Sequence, residues 1–242
     1  MSGRARATLR GAESRWFSRD AVRAVDREAM ERYGLPGVAL MENAASGILA
    51  VALDMLDGSN GPVLLLCGPG NNGGDGFALA RRLHNAGVKT VTLLFRSPEA
   101  YTGDAATNLR VLEAMDLERR VIESDRPAAA LEEAAGAPAL IVDALLGTGL
   151  TDSPRGGIGG ACAWLRSAPA PVLAVDIPSG LDCDAGEPFD ASRCARATVT
   201  ATMAGLKLGF RNERSRDWTG RLEVVDIGAP LACLDALATE RG

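Results

Sequence analysis

An apolar run, a glycine-rich turn and an amphipathic pattern follow one another between residues 62 and 86, where the chain reads PVLLLC, GPGNNGGDG and FALARRLHNA. The run has the length of a strand, and the pattern after the turn is helical. The five glycines predict positive φ angles and close approach of the backbone to a ligand. Asn71, Asn72 and Asp75 add amide and carboxylate oxygens, and the helix start offers N–H groups to a phosphate. A tight connection without a ligand is the alternative, but it would not need three short polar side chains.

The composition restricts the partners of the chain. Its 242 residues, 47% hydrophobic and 24% charged, are enough for one α/β domain with a sizeable core, which we assign to residues 17–242. A net charge of −5 and an aromatic content of 4% argue against a nucleic-acid surface. No stretch is expected to be long and apolar enough to span a membrane. The composition therefore predicts neither a nucleic-acid nor a membrane partner.

Cysteine and histidine usage argues against a zinc centre. The five cysteines are scattered without a C-x-x-C pair, which predicts buried free thiols in a reducing, cytoplasmic location. The single histidine, His84, lies in a helical pattern and is expected on the helix surface. One histidine leaves a histidine-based zinc site without enough ligands.

The first 16 residues carry four arginines against one glutamate. They contain no apolar stretch of the kind found in secretory signals. We predict a disordered basic tail over residues 1–16, with a short targeting segment as the alternative.

Strand and helix patterns alternate along most of the remaining chain. Two helices are predicted first, at 18–32 and 35–56. Strands are then predicted at 63–67, 90–95, 120–123, 139–142, 172–175, 198–203 and 222–225. Further helices are predicted at 76–86, 104–115, 127–135 and, more weakly, 159–166. This alternation is typical of a doubly wound, mostly parallel α/β sheet, whose ligands lie beyond the carboxyl ends of the strands.

Two further segments repeat the plan of an apolar strand, an aspartate and a loop of small residues. They read LIVDALLGTGL, with Asp143, and LAVDIPSGL, with Asp176. The aspartates are separated by about one strand–helix–strand unit, so both are expected at the same sheet edge as the glycine-rich turn. One such aspartate could be a helix cap or turn former, but the three loops together predict a site.

Oxygen ligands dominate this predicted site, which suits a hard cation. Asn72, Asp143 and Ser179 could supply an amide oxygen, a carboxylate, and a hydroxyl or carbonyl oxygen. One carboxylate among neutral oxygens suits a monovalent ion at least as well as magnesium. The loop 147–153, GTGLTDS, adds backbone amides for a phosphate or pyrophosphate.

Other enzyme classes fit these motifs less well. Residues 68–73 satisfy G-x-G-x-x-G, but the second strand ends in Phe95 and Arg96, without the acidic residue that a dinucleotide dehydrogenase uses for ribose. No G-x-x-x-x-G-K-[ST] motif or other phosphate-transfer lysine motif supports a small-molecule kinase. Lys207, among small and apolar residues, is by itself better explained as a snorkelling surface residue than as a poised charge.

Five motifs in order resemble the NAD(P)H-hydrate epimerases, the family often called YjeF N-terminal. They are AVRAVDREAMERYGLPGVALMENA, GPGNNGGDG, VDALLGTGL, DIPSGLD and VVDIGAP, within residues 17–230. The resemblance implies a three-layer αβα sandwich of Rossmann type. It also implies a homodimer built partly by the N-terminal helices.

The resemblance assigns residues to an epimerase that interconverts the R and S forms of hydrated NADH and NADPH (NADHX and NADPHX) in metabolite repair. Asp176 matches the aspartate that contacts the reacting ring, and Lys207 a lysine paired with it. Asn72, Asp143 and Ser179 match the ligands of one potassium ion per subunit. Two stretches of this chain match the family segments that hold the phosphates and ribose of the nucleotide. They comprise Asn71, Asn72, Gly73, Gly74 and Asp75, and Gly147, Thr148, Gly149, Leu150, Thr151, Asp152 and Ser153.

The resemblance also leaves two matters open. A separate NAD(P)H-hydrate dehydratase is a possible functional partner. A non-catalytic nucleotide- or protein-binding scaffold of the same fold is the alternative function, and such a scaffold is expected to have lost a site residue.

Overall fold

Seven parallel strands form the central sheet of the structure, a computed structural model that describes residues 14–241. The ten strands of the described chain are β1 (Arg15–Phe17), β2 (Val63–Cys67), β3 (Thr90–Leu94), β4 (Arg119–Val121), β5 (Leu140–Ala144), β6 (Val172–Val175), β7 (Val199–Met203), β8 (Leu206–Lys207), β9 (Arg221–Val225) and β10 (Glu240–Arg241). The helices are α1 (Arg19–Glu31), α2 (Gly37–Leu56), α3 (Asn71–Asn85), α4 (Gly103–Ala114), α5 (Ala128–Ala135), α6 (Gly156–Leu165), α7 (Arg216–Thr219) and α8 (Leu231–Leu237).

The order of the strands creates a crevice at the middle of the sheet. The order is β4-β3-β2-β5-β6-β7-β9, and every neighbouring pair is parallel. The chain builds outward from β2 to β4, then returns to start β5 on the other side of β2. Ligands of open α/β sheets bind at such a switch point, outside the carboxyl ends of the strands. Cys67 and Ala144, which end β2 and β5, lie opposite each other there.

Helices cover both faces of the sheet, which confirms the predicted three-layer αβα sandwich. On one face, Phe77 and Leu79 of α3 pack in a cluster with Leu65 of β2, together with residues of α2 and α4. On the other face, Leu131 of α5 and Ala161 of α6 pack in a cluster with residues of β2 and β5. Strands buried on both faces need continuous apolar sequence, which is why their positions could be predicted.

Helix α2 corrects the expectation that no stretch would match a membrane span. Its 20 residues have a mean hydropathy of 1.4, which is long and apolar enough by those two measures. However, Ala44, Ile48 and Ala52 are buried in the cluster between this helix and the sheet. A helix in the core of a globular protein has the same composition, so length and hydropathy do not separate the two cases here.

A small second sheet corrects the expected disordered tail at residues 15 and 16. Arg15 and Trp16 belong to β1, which pairs in parallel with β8 and antiparallel with β10. Arg15 also forms an ion pair of 2.7 Å with Asp235 of α8. Residues 1–13 lie outside the described residues. The two-residue strands β8 and β10 were not predicted, because segments this short carry no periodic pattern.

The glycine-rich turn is tighter than predicted. Helix α3 starts at Asn71 and not at residue 76, and none of the five glycines has a positive φ. Close packing explains two of them, since a Cβ on Gly68 would overlap the carbonyl oxygen of Leu145 and a Cβ on Gly73 would overlap that of Gly68. Glycine therefore brings the loops after β2 and β5 into direct backbone contact.

The smaller predictions on cysteine and histidine are confirmed. All five cysteines are free and buried. Burial alone raises the pKa of the Cys67 thiol well above its ordinary range, so that the group stays neutral. His84 is exposed near the end of α3.

Candidate functional site

The loops after β2, β5 and β6 meet at a cavity of about 510 Å³. Helices α1 and α2 close its other walls through residues such as Val22 and Met41. Eight of the sequence-predicted residues line this cavity, and they are Asn71, Asn72, Asp75, Gly147, Thr148, Gly149, Leu150 and Asp176. The three loops thus converge as the sequence predicted.

Other predicted substrate-binding residues lie outside the lining. Gly73 packs on Gly68, and a Cβ on Gly74 would meet Met41 and the backbone of Ala105. Thr151 and Asp152 are exposed, Ser153 is half-buried, and Asp152 forms an ion pair with Arg155. The two glycines support the walls, and the second half of the 147–153 loop points away from the cavity.

Asp176 and Lys207 form a buried ion pair at the cavity wall. Lys207 Nζ lies 2.7 Å from Asp176 Oδ1, and the two side chains are 0% and 7% exposed. Lys207 Nζ also donates to the carbonyl oxygen of Met203 at 2.9 Å, and the Met203 amide donates to Asp176 Oδ1 at 3.1 Å. Asp176 lines the cavity, whereas Lys207 lies behind it. The lysine therefore fixes the carboxylate that faces the cavity, and it is not the surface residue that its sequence context alone favoured.

Backbone strain accompanies this pair. Asp176 has φ 68° and Ala204 has φ 65°, which is the left-handed region that side chains other than glycine rarely adopt. Both residues line the cavity. Such strain persists only where surrounding contacts enforce it, and here the Asp176 amide is held by the carbonyl oxygen of Ala201 at 2.8 Å.

Asp143 is fully buried below the cavity and is not part of its lining. Its Oδ1 accepts from Ser179 Oγ at 2.6 Å and from the Leu145 amide at 3.2 Å, and its Oδ2 accepts from the Ser179 amide at 2.8 Å. Burial raises the pKa of Asp143, and these hydrogen bonds partly oppose the shift. Within residues 14–241 no cationic side chain forms an ion pair with this carboxylate.

Asn72 has an incomplete set of partners. Its side chain is buried at the start of α3, and its Nδ2 atom has no hydrogen-bond partner in the described part of the chain. A Cβ placed on Gly147 would lie 3.4 Å from the Asn72 Oδ1 atom. The amide therefore lies against the loop after β5, on which Asp143 and Ser179 also converge through Leu145 and Leu146.

Two more carboxyl groups face the cavity from α3 and α1. Asp75 is 5% exposed, and burial, followed by the charges of Asp176 and Asp26, raises its pKa well above the ordinary value. Asp26 is exposed to the cavity, yet the protein atoms packed around it raise its pKa from 3.8 to about 6. The Asp176 charge adds to that shift and Lys207 opposes it. Three carboxyl groups in different environments thus surround one space, which is typical of sites that transfer protons.

Stability should depend on pH through Asp75. In the folded protein its carboxyl keeps a proton at pH values at which the unfolded chain, with a pKa near 3.8, has lost it. The folded state then binds more protons, so the free energy of unfolding falls as pH rises above about 4, by up to about 1.4 kcal/mol per pH unit. Denaturant unfolding at a series of pH values should show a smaller fall for Asp75→Asn. The exposed-site variant Asp217→Asn should keep the wild-type profile, and a wild-type profile for Asp75→Asn would contradict the raised pKa.

Sequence reasoning missed the contribution of α1. Arg23 and Asp26 lie three residues apart, on one face of this helix, and both line the cavity. That spacing was the available signal, but charged residues at helical spacing usually mark a solvated face. Glu42 and Asn43 of α2, unlike Met41, do not line the cavity: Glu42 forms ion pairs with Arg81 and Arg82, and Asn43 donates to the carbonyl oxygen of Ile227.

Comparison with known proteins adds a family to this geometry. The family described as "YjeF-related protein N-terminus" matches residues 37–209. The chain is 39% identical over 234 residues to the bifunctional NAD(P)H-hydrate repair enzyme Nnr of Salinibacter ruber, a match that covers 92% of this chain and 42% of that protein. It is 36% identical over 226 residues to the NAD(P)H-hydrate epimerase of Pirellula staleyi, covering 92% of this chain and 96% of that one. The chain thus spans under half of the bifunctional relative and nearly all of the epimerase.

A solved structure supports the fold independently. The crystal structure of the yeast protein YNL200c aligns with a TM-score of 0.77 over 94% of this chain and 95% of that one. The two sequences are 21% identical, so this likeness concerns the fold. It agrees with seven parallel strands between two layers of helices.

Proposed function

Because the chain belongs to the family of YjeF-related protein N-terminal domains, we propose that it is an NAD(P)H-hydrate epimerase, an isomerase that interconverts the R and S forms of NADHX and NADPHX. The name of the Pirellula relative, which matches along nearly its whole length, supports this activity. The observation that carries the proposal is the Asp176–Lys207 pair at the wall of the cavity. It provides one oriented carboxylate at the carboxyl end of β6, as proton transfer requires.

We place the substrate between the phosphate-binding part of the cavity and Asp176. The start of α3 at Asn71 and the backbone of Gly147, Thr148 and Gly149 line one part of it. Free N–H groups at a helix start and in a glycine loop suit the phosphates of a dinucleotide. The hydrated nicotinamide ring then reaches Asp176. Of the predicted substrate-binding residues, we retain as direct contacts only those that line the cavity.

The chemistry needs proton transfer at one ring carbon. The hydroxyl of NADHX is on the carbon beside the ring nitrogen, so the centre is a hemiaminal. When the hydroxyl takes a proton and leaves as water, the nitrogen lone pair forms a planar iminium ion, and water returning to the other face gives the other epimer. The Asp176 carboxyl can exchange these protons, and its charge stabilises the cation. Ring opening and reclosure is the rival route.

We also propose one potassium ion per subunit, held by Asn72, Asp143 and Ser179. The buried Asp143 carboxylate, which has no ion-pair partner among the described residues, supports this donor set, and the Asn72 Oδ1 atom lies against the loop after β5. One carboxylate with neutral oxygens fits a hard cation of low charge. When bound, such an ion supplies positive charge close to the phosphate-binding loops. Asp143 and Ser179 keep the loops after β5 and β6 together in either case.

Potassium should stabilise the folded protein. A ligand that binds only the folded state raises the free energy of unfolding with its concentration. We expect the melting temperature to rise more in KCl than in tetramethylammonium chloride at equal ionic strength. Asp143→Asn should remove the difference between the two salts, and Asp217→Asn should keep it. Equal melting curves of the wild type in both salts would contradict the potassium site.

The assembly and location of the protein are also proposals. Tyr33, two residues after the end of α1, is 38% exposed, which supports a homodimer that includes the N-terminal helices. Five free buried cysteines support a cytoplasmic location. The fused form of the Salinibacter enzyme, which is named bifunctional, supports partnership with a separate dehydratase.

Proton NMR of (R)-NADHX in potassium buffer tests the activity directly. The S epimer should appear faster with the protein than without it or with heat-denatured protein. A scaffold of the same fold would bind the nucleotide without accelerating epimerisation. Such a scaffold should also have lost a site residue, whereas Asn72, Asp143, Asp176 and Lys207 are all present.

A further inference from the structure

Inversion at a ring carbon takes place on two faces, and one carboxylate in a fixed position reaches one of them best. If water leaves from one face of a planar iminium ion and enters at the other, each face needs a group that can give or take a proton. The Asp176 carboxylate is fixed by Lys207 and by the Met203 amide. It therefore cannot follow the hydroxyl from one face of the ring to the other.

We propose that Asp26 is the second acid–base residue, acting on the ring face opposite to Asp176. This inference rests on the proposed function. Asp26 belongs to α1 and Asp176 follows β6, and both line the same cavity. A ring held between the helix and the sheet edge has one carboxyl group on each side.

The two carboxyl groups have different partners. Asp176 has a cation at 2.7 Å and an amide donor at 3.1 Å, which fix its position. Asp26 forms no ion pair within the described residues, and its pKa of about 6 allows it to carry a proton near neutral pH. Asp26 can therefore supply the proton that loss of the hydroxyl as water requires.

Other charged groups surround Asp26 in the cavity. From α1 itself, Arg23 lines the cavity and lies 3.5 Å from the carbonyl oxygen of Gly149. Asp75 of α3 and Asp104 of α4 also line the cavity, and Lys207 lies behind Asp176. Carboxyl groups outnumber cations around this cavity, so a neutral Asp26 is favoured until the positive iminium ion forms.

The step is balanced in atoms and protons. Asp26 gives its proton to the hydroxyl on its side, the C–O bond breaks with its electron pair leaving on water, and the nitrogen lone pair forms the C=N bond. A water on the other side then attacks the carbon, the C=N pair returns to nitrogen, and Asp176 takes the proton released. The reverse direction exchanges the two roles. One water leaves, one enters, and one proton passes between the carboxyl groups.

Oxygen exchange in H₂¹⁸O separates the two faces, with Asp26→Asn as the main variant. The Asp26→Asn substitution should slow epimerisation by about 10²- to 10⁴-fold. Asp176 can still expel water from its own side and return labelled water to the same side. One epimer should therefore exchange its hydroxyl oxygen with solvent without inverting, and the other epimer should not. Asp176→Asn should show exchange in the opposite epimer.

Asp20→Asn is the matched control, since Asp20 is exposed on the same helix and does not line the cavity. It should epimerise like the wild type. An Asp26→Asn protein within about twofold of the wild-type rate, or one that exchanges both epimers equally or neither, would overturn the role of Asp26. An equal loss in Asp20→Asn would assign the effect to the helix. A wild type that does not epimerise at all contradicts the proposed function itself, which separates the two failures.

Discussion

Replacing Asp176 with asparagine is expected to abolish epimerisation and leave the fold intact. Asparagine has nearly the same shape and tolerates the left-handed conformation with φ 68° at this position. It cannot exchange a proton with the hydroxyl or with water, nor stabilise the cationic intermediate by its charge. We expect a fall in kcat of about 10²- to 10⁴-fold. Proton NMR of (R)-NADHX measures the rate, and circular dichroism checks the fold.

Asp116→Asn provides a control for the backbone. Asp116 also has a positive φ, 53°, but it is exposed and outside the cavity. Its variant should match the wild type in rate and in melting temperature. If Asp176→Asn kept more than about a tenth of the wild-type kcat, Asp176 would not be the proton-transfer group.

Replacing Lys207 with methionine should cause the largest loss of stability among these substitutions. Methionine fills the volume of the lysine stem but leaves the Asp176 carboxylate without the cation that lies 2.7 Å away in a 0% exposed position. Removal of one partner of a buried ion pair costs about 3–5 kcal/mol, since the other charge stays buried. Chemical denaturation should show this loss, and activity should fall because the carboxylate is no longer fixed.

The double variant Asp176→Asn/Lys207→Met tests whether the loss comes from the unpaired charge. With both charges removed, a substantial part of the stability lost in the single variant should return. Lys89→Met changes the other lysine of the chain, which is exposed, and should be neutral. Additive losses in the double variant would mean that the two side chains contribute independently, against the ion pair described above.

The sheet could be predicted because strands that are buried on both faces have continuous apolar sequences. The run at 63–67 matches β2 residue for residue, and the run at 172–175 matches β6. The start of α3 could not be predicted, because all six residues of 71–76 are asparagine, aspartate or glycine, which have weak helix propensity. Tertiary packing overrides this local preference, since only glycine at 68 and 73 allows the loops to meet.

The site could be predicted to the extent that it follows strands. Asp143 and Asp176 follow apolar runs, so the alternation of strands and helices predicted both at the carboxyl edge of the sheet. The burial of Lys207 could not be predicted from the neighbouring sequence, because the carboxylate that pairs with it lies 31 positions earlier in the chain. Asp26 was missed for a similar reason, since its helix reaches the cavity only through tertiary packing.

The strand β1 ties the reaction centre to both distant ends of the described chain. Phe17 pairs with Lys207, and Trp16 lies between Leu206 on one side and Glu240 on the other. All seven strands of the large sheet precede residue 240 in the chain, so they are synthesised before β10. Strand β1, which pairs with Lys207, can gain its second neighbour only once residues 240 and 241 have been added. The order of synthesis therefore lets the cavity form before the small sheet that contains Lys207 is complete.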